Sequence, residues 1–247
     1  MNQPGESANL LRDFYVPALL RSVHYDRVAG YFRSSALAAA SRGFTALLER
    51  QGRVRLIAGC DLAAHDVQAV LDGNAERLAM QLYRELDQLD EKPEHVRRGV
   101  ELLAYMVAQG LLEIRVAFRR HAETREPIRL EDSSDGYVHE KWGILTDRFG
   151  HKLSFSGSMN ESSAALERNA ENIVTTNSWS DSADAQDITE LEGNFEAMWA
   201  DEHPHFIVRP IPQAIQEKLL QISERVVAPT ELDGEPARDE KVAKPSP

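Results

Sequence analysis

Two short segments of the chain combine residue types that could together handle a phosphate ester. In the first, Val138-His-Glu-Lys-Trp142, a strand would place His139 and Lys141 on one face, because side chains alternate along a strand. In the second, Phe155-Ser-Gly-Ser-Met-Asn160, the same alternation groups Ser156, Ser158 and Asn160. One surface would then offer an imidazole nucleophile, an ammonium for the phosphoryl oxygens, and neutral hydrogen-bond donors.

The residue types around these segments fit the same chemistry. Gly157 would let a ligand or a backbone segment approach closely. Glu171, if it lies adjacent, would accept from the second ring nitrogen of His139 and fix its tautomer. Trp142 falls on the opposite face of the strand from His139, so we expect it in the core. The pattern predicts a phosphate site that contains a potential nucleophile.

The linked pattern of His139, Lys141, Asp147 and Gly157-Ser158-x-Asn160 resembles the HKD motif of the phospholipase D superfamily. Asn169-Ala-Glu-Asn172 resembles the stretch that follows this motif in small bacterial nucleases of the superfamily. The strongest likeness is to phospholipase-D-like domains found at the N-terminus of DEAD/DEAH-type helicases and in restriction and phage-defence systems. There a strand such as Gly30-Tyr-Phe32 opens the domain. The resemblance covers residues 8–226.

One position departs from the motif. The superfamily usually has the aspartate five residues after the lysine, whereas Asp147 follows Lys141 by six and stands where a turn begins. This departure bears on the assignment of Asp147 more than on His139 and Lys141.

The resemblance implies a mechanism and a stoichiometry. His139 would attack phosphorus to form a phosphohistidine, and a second histidine would protonate the leaving oxygen and then activate water, help worth about 10²–10⁴ in rate. The chain has one motif, so the second histidine would come from another copy across a two-fold axis, in an isologous homodimer joined through the active-site face. The resemblance implies no metal and no other cofactor.

The substrate expected from the resemblance is DNA. Arg115, Arg119, Arg120 and Arg125 form a locally basic stretch that would follow a nucleic-acid backbone. A fused or separate helicase is the expected partner. Two alternatives stay open: an inactive module that dimerises and binds nucleic acid without cutting it, and a hydrolase that acts on lipid phosphodiesters.

Composition limits the class of protein. The chain has 247 residues, 42% of them hydrophobic, and a net charge of −12, which argues mildly against a general nucleic-acid coat protein. Cys60 is the single cysteine, so no internal disulfide can form. We find no signal peptide and no apolar run long enough to span a membrane. These features predict a cytoplasmic protein with no membrane contact.

Hydrophobic periodicity predicts an α/β fold: a phospholipase-D-like mixed sheet with helices on both faces. Predicted strands cover residues 26–32, 53–58, 112–118, 137–146, 152–158, 172–176 and 206–209. Predicted helices cover residues 8–22, a segment after 34 that ends near 51, 162–168, 183–200 and 214–226.

Two segments stand apart from this pattern. Residues 63–110 read as a helical insertion or cap of two or three helices, with a break near Lys92-Pro93. Residues 227–247 contain four prolines, five acidic and three basic residues and read as a disordered tail or a linker. The catalytic domain is therefore expected to span residues 8–226.

Overall fold

The structure is a computed structural model, and it describes residues 11–31, 44–60, 64–72, 74, 76–128, 141–157, 173–180 and 182–227. The predicted helix at 162–168 and the predicted tail lie outside the described residues, apart from Val227. Two other predicted elements lie partly outside the described residues: the helix predicted after residue 34, in its first part, and the strand predicted at 137–146, in its first residues.

A seven-stranded mixed sheet forms the centre of the described chain, in the order β6-β5-β4-β1-β2-β3-β7. β1, β2 and β3 are parallel neighbours, and every other pairing is antiparallel. The prediction of a mixed α/β sheet is confirmed. The strands are β1 (Ser22–Tyr31), β2 (Arg53–Gly59), β3 (Leu112–Arg119), β4 (Trp142–Asp147), β5 (Lys152–Gly157), β6 (Ile173–Asn177) and β7 (Phe206–Pro210).

Helices pack on both faces of this sheet, as predicted. The described α-helices are α1 (Val16–Leu19), α2 (Phe44–Glu49), α3 (Ala64–Leu71), α4 (Glu76–Asp87), α5 (Glu94–Ala108), α6 (Ser182–Trp199) and α7 (Gln213–Ser223). A π-helical turn, Leu11–Tyr15, precedes α1, and a 3-10 turn, Leu89–Glu91, precedes α5. None of the helices in the described ranges is both long and apolar enough to cross a bilayer.

The start of the chain differs from the prediction of one helix over 8–22. The π-helical turn leads into a single α-turn with Pro17 in its first positions, and β1 already begins at Ser22. Pairing explains the early start of the strand: Ser22 lies opposite Asp147, and His24 lies opposite both Thr146 and Arg53. Ladder hydrogen bonds on both sides of β1 outweigh the local apolar spacing.

Side-chain alternation divides the core into two layers. Tyr25, Leu145 and Phe155 point to the larger layer, which contains the buried side chains of α2, α4, α5 and α7. Val28, Trp142 and Ile144 point to the smaller layer, which is covered by α6 through Phe195 and Met198. We call these the large-core face and the α6 face of the sheet.

The helical segment at 63–110 is part of the main core. The two or three helices and the break near Lys92-Pro93 are confirmed. The segment connects β2 to its parallel neighbour β3, so it is the crossover that such a pair requires. Leu82, Leu86 and Leu103 belong to the same buried cluster as Leu56 of the sheet, so the helices do not form a separate cap.

Candidate active site

The described residues include part of the predicted site. Lys141, Asp147 and the four arginines are described. His139, Ser158, Asn160 and Glu171 lie outside the described residues.

Lys141 lies at the end of the sheet where the carboxyl ends of β1 and β5 meet the start of β4. Its carbonyl oxygen accepts a hydrogen bond of 3.2 Å from the amide of Gly157. This bond extends the β4–β5 ladder by one step beyond the pair of Trp142 and Ser156. The described parts of the two motif segments, Lys141-Trp142 and Phe155–Gly157, therefore lie side by side on neighbouring antiparallel strands.

Gly30, at the carboxyl end of β1, makes room for the lysine side chain. A Cβ atom at this position would lie 3.3 Å from Cε of Lys141, closer than most such contacts. Gly30, Lys141 and Gly157 therefore meet at one edge of the sheet, which we call the Lys141 edge. Neither Gly30 nor Gly157 carries a side chain that would fill the space beside Lys141, which suits a site that must admit a phosphate.

Lys141 and Ser156 are on opposite faces of the sheet. Ser156 lies directly opposite Trp142 and shares its face, which is the α6 face. Alternation along the strand places Lys141 with Gly143 and Leu145 on the large-core face. Ser156 therefore does not join Lys141 on one surface, which corrects that expectation. The prediction that Trp142 is a core residue is confirmed, since its ring packs edge-on against Phe195 at 5.9 Å.

Asp147 lies at the other end of β4 from Lys141. Its carboxylate accepts hydrogen bonds from the amides of Phe149 (2.8 Å) and His151 (2.9 Å) and from Nδ1 of His151 (3.0 Å). Although desolvation acts in the opposite direction, these hydrogen bonds hold the pKa of Asp147 below its ordinary value. Asp147 stabilises the β4–β5 turn, and we leave it out of the proposed site.

Arg115 has structural partners. Its Nε and Nη2 donate to Glu113 at 3.0 and 2.9 Å, and its guanidinium lies 4.1 Å from the ring centroid of Trp199. A further hydrogen bond joins Nη1 to the backbone oxygen of Trp199. These contacts attach α6 to β3, and the predicted contact of Arg115 with substrate stays a prediction.

Arg120 is also engaged within the fold. Arg120 is buried and donates hydrogen bonds to the backbone oxygens of Asp201 and His203. These hydrogen bonds fix the loop before β7. Burial and the nearby charge of Arg125 lower the pKa of Arg120. Arg125 itself is exposed, in a turn with a φ of 64°. Of these two arginines, Arg125 remains the candidate for contact with substrate.

Arg119 is half-buried at the carboxyl end of β3, the same end of the sheet as Lys141. Three strand spacings separate β3 from β4, which is about 14 Å. Alternation from Ala117 places Arg119 on the α6 face, whereas Lys141 is on the large-core face. The two cations thus lie at one end of the sheet but do not converge on one point.

An ion-pair network on the α6 face, centred on the buried Asp26, was not foreseen. Arg55 binds Asp26 through Nε (2.7 Å) and Nη2 (2.8 Å), and it also binds Glu196 of α6. His24 Nε2 donates to the same Asp26 carboxylate at 2.9 Å. Burial alone would raise the pKa of Asp26, but the hydrogen bonds from His24 and Arg55 outweigh it and lower the pKa.

A second charge that sequence reasoning missed is Arg27 of β1. Its side chain is almost fully buried, at 1% exposure, on the large-core face. Arginine in a strand usually reaches solvent, so composition gave no reason to select it. The available signal was its position in an otherwise apolar run, Val28-Ala29-Gly30, that leads to the Lys141 edge.

Comparison with known proteins adds no assignment. No protein-family model matches the chain, and no curated protein matches it.

Proposed function

We propose that this chain is a metal-independent phosphodiesterase, and specifically a DNA endonuclease, in which His139 and Lys141 act at an interface between two copies. The observation that carries the proposal is the Lys141 edge. There Lys141 directly precedes β4, Gly157 of the Gly-Ser-x-Asn segment ends the neighbouring β5, and Gly30 leaves space beside the lysine. An ammonium flanked by two glycines suits a phosphoryl group.

The proposed reaction has two steps. Nε2 or Nδ1 of His139 attacks phosphorus, the bond from phosphorus to the leaving oxygen breaks, and that oxygen takes a proton from the second histidine. Water then gives a proton back to this histidine and attacks the phosphohistidine, which releases the phosphate monoester and restores His139. Lys141 balances charge on the phosphoryl oxygens in both steps.

The remaining residues of the motif have supporting roles in the proposal. Ser158 and Asn160 donate hydrogen bonds to the phosphoryl oxygens, and Glu171 orients the imidazole of His139. Gly157 lies opposite Lys141, and Ser158 and Asn160 follow it closely in the sequence. Because Ser156 faces away from Lys141, the assignment requires the chain to leave the alternation of β5 after Gly157.

Two copies of the chain complete the proposed site. The sequence contains one His-x-Lys followed by Gly-Ser-x-Asn, and the two-step reaction uses two histidines. A two-fold axis at the Lys141 edge would supply the second histidine from the other copy. We propose that a helicase, fused or separate, delivers the DNA, as the resemblance to helicase-linked nuclease domains suggests.

To identify the substrate, the purified protein is incubated in excess EDTA with single-stranded DNA, double-stranded DNA or phosphatidylcholine vesicles. We expect DNA strands to be cut and vesicles to stay intact, and His139→Ala to cut neither. Vesicle hydrolysis without DNA cleavage would assign the site to lipid. DNA binding without cleavage by the parent protein would favour an inactive binding module.

Light scattering tests the stoichiometry. We expect a dimer at micromolar concentration, in the parent and in His139→Ala alike. A monomer that nevertheless cleaves DNA would contradict the shared site.

A further inference from the structure

Two large aromatic side chains are exposed to solvent at the end of the sheet opposite the Lys141 edge. Phe149, in the β4–β5 turn, is 70% exposed, and Trp179, just after β6, is 59% exposed. The ring of His151 lies between them, and its centroid is 6.1 Å from the centroid of each. Single exposed apolar residues are ordinary on a protein surface, whereas a contiguous group of them indicates a contact site. We call Phe149 and Trp179 the aromatic platform.

Hydrogen bonds fix the two turns that carry the platform. The carboxylate of Asp147 accepts from the amide of Phe149 at 2.8 Å, and the side chain of Asn177 accepts from the amide of Trp179 at 3.3 Å. His151, whose Nδ1 also binds Asp147 at 3.0 Å, serves as a spacer between the two rings. The rings are therefore presented by an ordered backbone, so a ligand that contacts them orders little of the protein.

Positive charge lies beside the platform. The guanidinium carbon of Arg148 is 4.6 Å from the centroid of the Phe149 ring. Ser22 lies opposite Asp147, so the exposed Arg21 is at the same end of the sheet. In the part of the chain that the structure describes, no carboxylate forms an ion pair with Arg148 or Arg21, and Asp147 is bound to its own turn. The platform therefore suits an anionic ligand.

This combination of groups fits an unpaired nucleic-acid strand. Bases stack on aromatic rings whatever their sequence, and a nearby arginine adds a contact to bases or phosphates. A duplex hides the faces of its bases in its own stack, so the platform should select single strands. A second copy of the chain fits less well, because a two-fold contact would bring Arg148 and Arg21 of both copies together.

We propose that the aromatic platform, together with Arg148, binds the bases and backbone of single-stranded DNA. The inference rests on the proposed function for the identity of the polymer, and it deepens that function by naming the single-stranded form as the substrate. The length of β4 places the platform about 20 Å from the Lys141 edge. Single-strand sites on proteins cover about 4–16 nucleotides, so one strand is long enough to contact both.

The test measures the binding of oligothymidylate, by anisotropy of a labelled strand and by quenching of tryptophan fluorescence with an unlabelled one. His139→Ala is the reference protein, so that the strand stays intact. Trp142 is buried, and Trp199 stacks on Phe195 at 5.7 Å, so we expect the quenching to come from Trp179. Circular dichroism establishes that each variant, made in the reference background, is folded.

We expect Phe149→Leu and Trp179→Leu each to weaken binding about tenfold, because leucine keeps an apolar side chain but offers no ring for a base. Phe149→Tyr should bind as the reference does. Tyr83→Leu is the matched control, because Tyr83 is 40% exposed on α4, against Lys218 of α7, and should leave binding unchanged.

Three results overturn the inference. One is a folded Phe149→Leu/Trp179→Leu double variant that binds as tightly as the reference. Another is a Phe149→Tyr variant as weak as Phe149→Leu, because stacking would then not be the cause. The third is quenching that persists in full in Trp179→Phe, because the bases would then lie elsewhere.

The salt dependence of binding tests the role of Arg148. Each phosphate contact to a single strand contributes about 0.7 to the slope of log affinity against log salt, so Arg148→Met should make the slope shallower by about that amount. Arg84→Met is the control, because Arg84 is exposed on α4, and it should keep the slope of the reference. Equal slopes for both variants overturn the charge complementarity on which the choice of a polyanion depends.

Other occupants of the platform would give different results. If the platform joined two copies, the double variant would be monomeric by light scattering where the reference is dimeric. If it entered a lipid surface, phosphatidylglycerol vesicles would shift the tryptophan emission and oligothymidylate would not change it. Either result overturns the inference.

Binding and cleavage separate this inference from the proposed function. If the reference binds the strand through the platform but the parent cuts no DNA, the enzyme is refuted and the inference stands. If the parent cuts DNA while the reference and the double variant bind single strands equally, the inference alone is refuted. A parent that neither binds nor cuts DNA overturns both.

Discussion

Lys141 and Asp147 lie at opposite ends of the same strand. The carbonyl oxygen of Lys141 accepts from Gly157 just before β4 begins, and the carboxylate of Asp147 closes the turn after β4 ends. Six residues of extended chain separate their backbones by about 20 Å. A single phosphate cannot contact both side chains, so the proposed chemistry belongs to the Lys141 edge.

Asp147→Asn should therefore leave phosphodiester hydrolysis within about tenfold of the parent rate. Its effect should appear in stability, since the turn loses a charged acceptor. The pKa of Asp147 is lowered in the folded protein, so its contribution is present above its ordinary pKa and fades as the pH falls. Chemical unfolding and initial rates on one substrate measure both effects. A rate equal to that of His139→Ala would return Asp147 to the site.

Lys141→Met should lower kcat/KM by about 10²–10³, the loss typical when one donor to a developing charge is removed. Methionine keeps the length and the apolar stem, so the fold should be preserved. Lys152→Met is the matched control, because Lys152 pairs with Glu192 at the far end of the sheet. We expect the control to retain the parent rate. Equal losses in both variants would show a general effect of charge and contradict the role of Lys141.

Gly143→Ala should destabilise the protein by about 1–3 kcal/mol, because the added methyl group overlaps the rings of Tyr25 and Phe155. Gly193→Ala is the control, since a Cβ atom there meets nothing within 4 Å and the residue lies inside α6. Alanine in a helix interior should stabilise by about 0.5–1 kcal/mol. Urea unfolding measures both changes. If Gly143→Ala is as stable as the parent, the close packing above β4 is refuted.

Asp26→Asn should cost about 3 kcal/mol or more at pH 7, because the variant leaves the partly buried Arg55 without its main charged partner. The folded-state pKa of Asp26 lies below its ordinary value of 3.8, so this stabilisation is complete above that value. It is lost as the pH falls through the lower, folded-state pKa. The difference between parent and variant, measured by urea unfolding at several pH values, should therefore shrink only in strong acid.

Glu196→Gln is the matched control for Asp26→Asn. This variant removes the second carboxylate that binds Arg55. The Glu196 side chain is 60% exposed, so the substitution should cost less than about 1 kcal/mol. Equal costs for the two variants would show that burial of Asp26 adds nothing.

The strands could be predicted because their apolar runs are strong and short. Leu112-Glu-Ile-Arg-Val alternates, and β3 follows that pattern with Glu113 exposed between the buried Leu112 and Ile114. Trp142 was placed in the core by the same alternation. The start of β1 was missed because Ser22 and His24 become a strand only through their partners on β4 and β2, which local spacing does not reveal.

The geometry around the candidate site could not be read from the sequence, for physical reasons. A motif gives residue types and spacing, but register decides which of them meet. Ser156 pairs with Trp142 and so faces away from Lys141. Arg115 and Arg120 form a basic stretch in the sequence, yet Arg115 attaches α6 to β3 and Arg120 binds the loop before β7. Burial of Arg27 and Asp26 depends on tertiary packing, which no local pattern encodes.

The most direct test of the central claim is hydrolysis of bis(p-nitrophenyl) phosphate in excess EDTA by the parent, His139→Ala and His151→Ala. His151 is the matched control, because it binds Asp147 in the turn at the far end of the sheet. The proposed mechanism predicts hydrolysis by the parent and by His151→Ala, and only background for His139→Ala. Hydrolysis by His139→Ala at the parent rate, or a parent activity that EDTA abolishes and Mg²⁺ restores, would contradict it.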